Sequence, residues 1–432
     1  MTDAVQPPLA KLPRRSFVIL FTLSVVTAIG NTGLISVLPA IGRSIGISDF
    51  LASAVFSLSA LLWALTSPYW ARQSDLRGRK PLIMTGMAGF MISMLLCGIV
   101  VSAGLREWAT PLVIFVLFLF ARAIFGTFGS ASNPATQAYM AERTSRAQRT
   151  QSMSALAGAF GLGTVVGPFL APLFVKIPVL GLAGPLFAFA AMAATMLVVV
   201  HRFLPESDVP RPERAPGERE VIKGFWRDRR VLPFLIFGFL VATCQTAQAQ
   251  TLGFLIIDRL KLPLVEAQDF ISVAMAFGAV AGLLAQWGVI RMFDMGPRAL
   301  MRWGAGVAAC GTIIIALSTD YWTVVAGYAL ASLGFGLARP GFTAGASLSV
   351  NMREQARAAG LIASVNGLNV ILAPAFVFAY EHFGPAPFIV TATILVGLLV
   401  YAFRDPTLRN VNAGSSEADS TEAGLERMGE EH

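Results

Sequence analysis

Residues 68 to 81 read PYWARQSDLRGRKP, a concentration of charge set between two long apolar runs. Residues 50 to 70 carry no Lys, Arg, Asp or Glu, and neither do residues 81 to 105. Each run is therefore long enough to cross a ~30 Å hydrocarbon core as a helix. Asp75 closes the first run, Gly78 permits a sharp reversal, and Arg77, Arg79 and Lys80 set three positive charges close together. Positive charge held beside spans collects on the cytoplasmic face, so this turn is expected inside the cell.

The chain has 432 residues, 55% of them apolar and 13% charged, with a mean hydropathy of +0.66. In a soluble protein that length suggests about three domains, but at this composition it supplies membrane spans instead. Apolar runs place spans near 16–39, 50–71, 81–103, 111–138, 152–175 and 182–203, then 232–257, 269–290, 301–318, 321–349, 358–380 and 385–403. The run after Arg14 and Arg15 is too long for a cleavable signal and lacks a small-residue cleavage pattern, so the first span stays.

The organisation that follows is a cytoplasmic tail (1–15), a first six-helix bundle (16–203), a cytoplasmic linker rich in Pro and charge (204–230), a second six-helix bundle (231–403) and a disordered acidic cytoplasmic tail (404–432). A net charge of +8 raises nucleic acid as a partner, and its distribution removes it. Arg43, Arg106, Lys176, Arg259 and Lys261 fall in external loops and Arg122 and Arg339 within spans, while the rest of the 33 Lys and Arg lie in cytoplasmic segments. That asymmetry orients the chain in a bilayer with both termini inside, and leaves no basic, aromatic-interleaved surface for nucleic acid.

The halves look like copies. Gly33 and Gly253 are as far apart as Asp49 and Asp269, and Pro134 stands as far from Pro168 as Pro340 does from Pro374. The turn Gly78-Arg79-Lys80 has a weaker echo in Gly296-Pro297-Arg298. A duplicated six-helix unit is the expectation.

The stretch around Asp75 resembles the loop between helices 2 and 3 of the major facilitator superfamily, whose signature is Gly, three residues, Asp, Arg, any residue, Gly, Arg, then Arg or Lys. Asp75, Gly78, Arg79 and Lys80 are in register, whereas Ala71 and Leu76 depart from it. The resemblance implies an all-α membrane protein of twelve transmembrane helices in two pseudo-symmetric bundles, with substrate near the midplane between them. It also implies that Asp75, Arg77, Gly78, Arg79 and Lys80 form a gating loop. In the family the Asp helps lock the cytoplasmic side by meeting the start of helix eleven, here near Arg357 to Gly360 with Arg353 and Arg357 as charge partners. Gly163, Gly167 and Pro168, in GLGTVVGPFLAP, are similar to the fifth-helix motif of the drug and proton antiporter branch, with Ala171 and Pro172 in place of its final glycines. A merely well-packed, kinked helix is the other reading of that stretch.

Chemistry of the enzymatic kind is not expected. His201, His382 and His432 avoid the span interiors, Cys97, Cys244 and Cys310 lie singly in apolar spans, and no metal-ligand spacing, nucleophile elbow or phosphate loop occurs. No cofactor is expected. Arg122 and Arg339 each cost at least ~2.5 kcal/mol near a bilayer centre unless they face a cavity or a partner. With Asn31, Gln245, Gln248, Asn366 and Asn369 they form the candidate substrate-cavity set, and for each of these the alternative is a hydrogen bond between helices without substrate. Trp63 offers an aromatic wall or simple packing.

Asp and Glu are absent from the middle of every span, and arginine does not titrate. A cavity holding both arginines is net positive, so neutral or anionic organic solutes are expected over cations. Proton carriers are sought at span ends, in Asp49, Glu142 and Asp258. The expectation is a monomeric secondary transporter of the inner membrane, resembling the drug-efflux branch, that moves a small organic solute by alternating access with protons as coupling ion. An organic-anion symporter or exchanger is the rival within transport, and a transport-inactive sensor or scaffold the rival outside it.

Overall fold

The computed structural model describes residues 13–144, 146–206, 228–350 and 354–410, and among them the regular structure is helical throughout. In chain order the helices are α1 (Arg14–Ile45), α2 (Asp49–Arg77), α3 (Arg79–Leu105), α4 (Pro111–Phe128), α5 (Ser132–Glu142), α6 (Arg146–Val175), α7 (Gly184–Phe203), α8 (Leu232–Leu260), α9 (Leu264–Leu284), α10 (Ile290–Phe293), α11 (Pro297–Leu317), α12 (Tyr321–Leu348), α13 (Gln355–Leu368), α14 (Ala373–His382), α15 (Ala386–Arg404) and α16 (Pro406–Asn410). Eleven stretches among the described residues are long and apolar enough to cross a membrane. The remaining expected span is laid out by α13 and α14, joined through the 3-10 turn Asn369–Leu372.

Two spans break for one physical reason. The 3-10 turn Gly129–Ala131 between α4 and α5 precedes Pro134, and the turn Asn369–Leu372 precedes Pro374. A proline has no N–H to give, and its ring crowds the carbonyl four residues back, here Ser130 and Val370, so the backbone tightens just before it.

The stretch expected as a turn between the second and third spans, residues 72–80, is helical except at Gly78. α2 runs through Pro68 to Arg77 and α3 starts at Arg79. Gly78 alone reverses the chain, at φ 100° and ψ 163°, a conformation that a side chain at Cβ would strain. Asp75 and Arg77 therefore ride on a helix extended beyond its apolar run. The acidic tail differs in a similar way, because residues 404–410 are not structureless: α15 ends at Arg404 and α16 follows.

The chain divides into two compact units, Met1–Pro212 with Lys261–Val273, and Glu213–Leu260 with Ala274–His432. The expected second bundle thus yields the first turns of α9 to unit 1. There Gln268 Nε2 donates to Ser36 Oγ at 3.5 Å, and Lys176 Nζ stands 3.0 Å from Asp269 Oδ2.

In unit 1, α6 lies directly on α1. A Cβ on Gly163 would stand 2.5 Å from the Val25 carbonyl oxygen, and one on Gly167 would stand 2.5 Å from that of Ile29. Thr32 Oγ1 donates to the Ala28 and Gly163 carbonyls at 2.8 and 3.3 Å across this seam. Lipid supplies no hydrophobic drive for helices to associate, so such close backbone approach is what binds them. Unit 2 is centred on Phe234, Phe237, Phe335 and Phe342, all fully buried where α8 meets α12.

Candidate functional site

Within unit 1 the polar centre is Arg122, on α4 and only 2% exposed. Its placement follows from the small residues beside it. Ser59 Oγ donates to the Arg122 carbonyl at 3.0 Å, and Gly126 lets α4 approach α2 so closely that a Cβ there would lie 2.5 Å from the Ser59 carbonyl. The guanidinium carbon sits 4.7 Å from the Phe125 ring centroid and 5.6 Å from that of Phe56. Nη2 donates to Asn31 Oδ1 over a long 3.4 Å, while Nε and Nη1 have no hydrogen-bond partner among the described residues. Cys97 on α3 lies within its electrostatic reach, and none of the ion pairs among the described residues involves Arg122.

Two aromatic faces return roughly 0.5 to 2 kcal/mol each to a desolvated guanidinium. The three bare N–H groups of Nε and Nη1 in a dry interior cost at least as much again. A cation left so under-satisfied is suited to binding something transient: water, or an acceptor on a ligand. Asn31 is itself steadied by Nδ2 donating to the Thr27 carbonyl at 3.2 Å.

The three- and four-residue spacing of Arg122, Gly126, Ser130, Asn133 and Gln137 would set them on one face of an unbroken helix. The 3-10 turn divides them, for Arg122, Gly126 and Ser130 are buried, whereas Asn133 and Gln137 are exposed and bonded to each other at 3.1 Å. Trp63 is half-buried, with its ring 5.3 Å from that of Phe125.

In unit 2, Gln248 is buried and donates from Nε2 to Thr312 Oγ1 at 2.6 Å, tying α8 to α11. Asn369 Nδ2 donates to Thr246 Oγ1 at 3.2 Å. The Oε1 of Gln248 and the Oδ1 of Asn369 are buried without a partner among the described residues. Gln245, three residues before Gln248 on α8, is half-buried. The Asn366 side chain lies outside the described residues. Arg339 is exposed, and Thr343, one turn on, is exposed as well. On a span whose other flank is packed into unit 2, this makes a polar, accessible stripe at membrane depth.

The gating-loop residues fall into two groups. Arg79 is 9% exposed and fully engaged, Nε and Nη2 reaching Glu142 Oε1 at 2.8 and 2.6 Å and Nη1 reaching Ser74 Oγ at 2.9 Å. Lys80 Nζ donates to the His201 carbonyl at 3.0 Å, and Arg77 is exposed. The Asp75 side chain lies outside the described residues, as do those of Arg353 and Arg357.

All three carboxylates expected to carry protons have partners inside their own unit. Asp49 is gripped by Arg43 through Nε at 3.1 Å and Nη2 at 2.7 Å, Glu142 by Arg79, and Asp258 accepts the Tyr380 hydroxyl at 2.6 Å. Protonating Asp49 or Glu142 would dissolve an ion pair that ties helix ends together. Sequence reasoning missed Thr312 and Thr246, which hold the Gln248 and Asn369 side chains, and Ser59, which fastens the backbone at Arg122. Their signal is weak, because a hydroxyl in a span more often bonds its own helix backbone.

Comparison with known proteins is consistent with these features. The sequence model described as Major Facilitator Superfamily matches residues 20–374. Multidrug resistance protein 2 of Bacillus subtilis (strain 168) is 23% identical over 376 residues, covering 83% of this chain and 87% of that protein. The class C tetracycline resistance protein of Escherichia coli is 26% identical over 416 residues, 91% of this chain and 96% of its own length. Among solved structures, a bacterial homolog of the human lysosomal transporter Spinster aligns with a TM-score of 0.71 at 15% identity, over 94% of this chain and 99% of that one. The human organic anion transporter MFSD10 aligns at 0.65 and 19% identity, over 92% and 100%. At such identities the structural likeness speaks for the fold.

Proposed function

Because the chain belongs to the Major Facilitator Superfamily, a family of transporters that move small solutes, we propose that it is a secondary transporter exporting a neutral or anionic organic solute by alternating access. The observation that carries this reading is the polar stripe of Arg339 and Thr343, accessible on a span that must cross hydrocarbon. Facing lipid, an arginine there would cost at least ~2.5 kcal/mol, so its guanidinium is turned to water, to a protein partner or to a ligand, and its exposure leaves it open to a solute. Arg122, buried and in no ion pair among the described residues, adds a second positive centre in unit 1. Curated relatives named for multidrug and tetracycline resistance favour efflux. On this reading the protein acts as a monomer in the inner membrane, with both termini and the Arg79 turn in the cytoplasm.

Protons are the proposed coupling ion, and Asp258, an exposed residue whose carboxylate accepts the Tyr380 hydroxyl, is the preferred carrier. The test is drug accumulation in an efflux-deficient bacterium expressing the protein. Lower accumulation of a neutral or anionic drug, restored by a protonophore, supports the reading, and unchanged accumulation of every compound in the panel contradicts it. One observation favours a second reading, exchange of organic anions without protons: neither in-span arginine titrates, and Asp49 and Glu142 are locked in ion pairs. Efflux insensitive to the protonophore and dependent on an external anion distinguishes it.

A further inference from the structure

At one membrane boundary of unit 2, three arginines converge. Arg298 and Arg302 stand one turn apart at the start of α11, and Arg409 is carried in by the short α16, which packs on α11 and α8. The return of the chain is well fixed. Asp405 Oδ1 accepts the backbone N–H groups of Thr407 and Leu408 at 2.9 and 3.1 Å, and Leu408 is fully buried. Arg302 is itself anchored, Nε donating to the Ala402 carbonyl at 3.1 Å and the guanidinium lying 4.1 Å from the Phe403 ring centroid. Both Arg298 and Arg409 are within its electrostatic reach.

Like charges one helical turn apart repel, and a third cation brought against them repels further. None of the three is in an ion pair with a carboxylate among the described residues. The surroundings indicate what relieves the repulsion. Phe403 is 53% exposed and Trp303, next to Arg302 on α11, is 64% exposed. A freely soluble anion would have no use for that apolar rim. A lipid would, since its phosphate can lie among the arginines while its chains run along Phe403 and Trp303, and exposed tryptophan is at home where headgroups meet acyl chains.

We propose that Arg298, Arg302 and Arg409 bind the headgroup phosphate of an anionic phospholipid at the membrane boundary. The site is remote in kind from the in-span polar stripe, and it stands whatever the solute or direction of transport. Each arginine contributes roughly five-fold to the affinity.

The experiment is native mass spectrometry of the purified full chain loaded with phosphatidylglycerol or phosphatidylcholine. The double variant Arg298→Gln/Arg409→Gln leaves the packing of Arg302 in place, and Arg259→Gln, at the far end of α8, is the control. Expected is preferential retention of phosphatidylglycerol, reduced about twenty-five-fold in the double variant and unchanged in the control. If the double variant does not fold, Arg409→Gln alone, on a terminal helix, reads the same loss at about five-fold. Equal retention of both lipids, or full retention by the variants, overturns the proposal. So does phosphatidylglycerol binding that appears only after residues 411–432 are removed, which would make the acidic tail the occupant.

Discussion

Arg79 closes on Glu142 with two guanidinium nitrogens, Nε at 2.8 Å and Nη2 at 2.6 Å, both on Oε1. The pair joins the first turn of α3 to the last of α5 across the end of unit 1, and its side chains are only 11% and 19% exposed. Removing one partner of such a pair strands the other in a site already mostly stripped of water. Glu142→Gln is expected to lower stability by about 2 kcal/mol, less than for a fully buried pair because the amide oxygen still accepts from Arg79. Thermal unfolding of the purified protein in detergent is the measurement, and an unchanged midpoint would refute the pair's structural role.

Gly78 supplies the only reversal between α2 and α3. Its φ of 100° lies where a Cβ meets the preceding carbonyl, so Gly78→Ala is expected to destabilise by more than ~1 kcal/mol, whereas alanine for the exposed helical Arg77 should lie within about 0.5 kcal/mol of wild type. The same unfolding assay compares the two.

Arg122→Met separates structure from function. Replacing a buried, under-satisfied cation by an apolar side chain of similar length is often neutral or stabilising by ~1 to 4 kcal/mol. The variant is therefore expected to be at least as stable as wild type and inactive in transport. A variant that unfolds more easily would mean that the arginine is a structural tie.

Acid lability has a definable contributor at the start of α8. Hydrogen bonds from the Arg230 side chain and backbone hold the Asp228 carboxyl below its ordinary range. A folded value below the unfolded one contributes stability that is complete above the unfolded value of about 3.9 and is lost as pH falls through the folded value. Asp228→Asn is thus expected to flatten the fall of the unfolding midpoint below about pH 4 and to leave its slope near neutrality unchanged. Identical profiles for variant and wild type would contradict this. Arg230 also reaches Glu354 at 3.2 Å, so the substitution leaves one of its partners in place.

The spans were legible because twenty or so apolar residues in lipid have essentially one option, a helix with every backbone group bonded internally. Their interruptions were less so. Pro134 and Pro374 are plain in the sequence, but whether a proline kinks a helix or tightens the turn before it depends on the neighbouring packing, as Pro68, continuous within α2, shows. Arg122 and Arg339 were visible as in-span cations, yet nothing in their spacing says that one is buried between phenyl rings and the other accessible. That difference is set by which face of α4 or α12 meets its own unit. The fate of Asp49 and Glu142 was hidden likewise, because their partners Arg43 and Arg79 are chosen by the fold.

The central claim, a transporter that binds its solute at positive charge within its spans, is tested most directly in liposomes. Purified wild type and Arg339→Ala are reconstituted, a pH gradient is imposed, and uptake of labelled cationic, neutral and anionic solutes is followed. The account predicts gradient-driven movement of an anionic or neutral solute that falls at least ten-fold in the variant, the loss of about 1.4 kcal/mol of ligand interaction. Movement of cations alone, equal in wild type and variant, would contradict it.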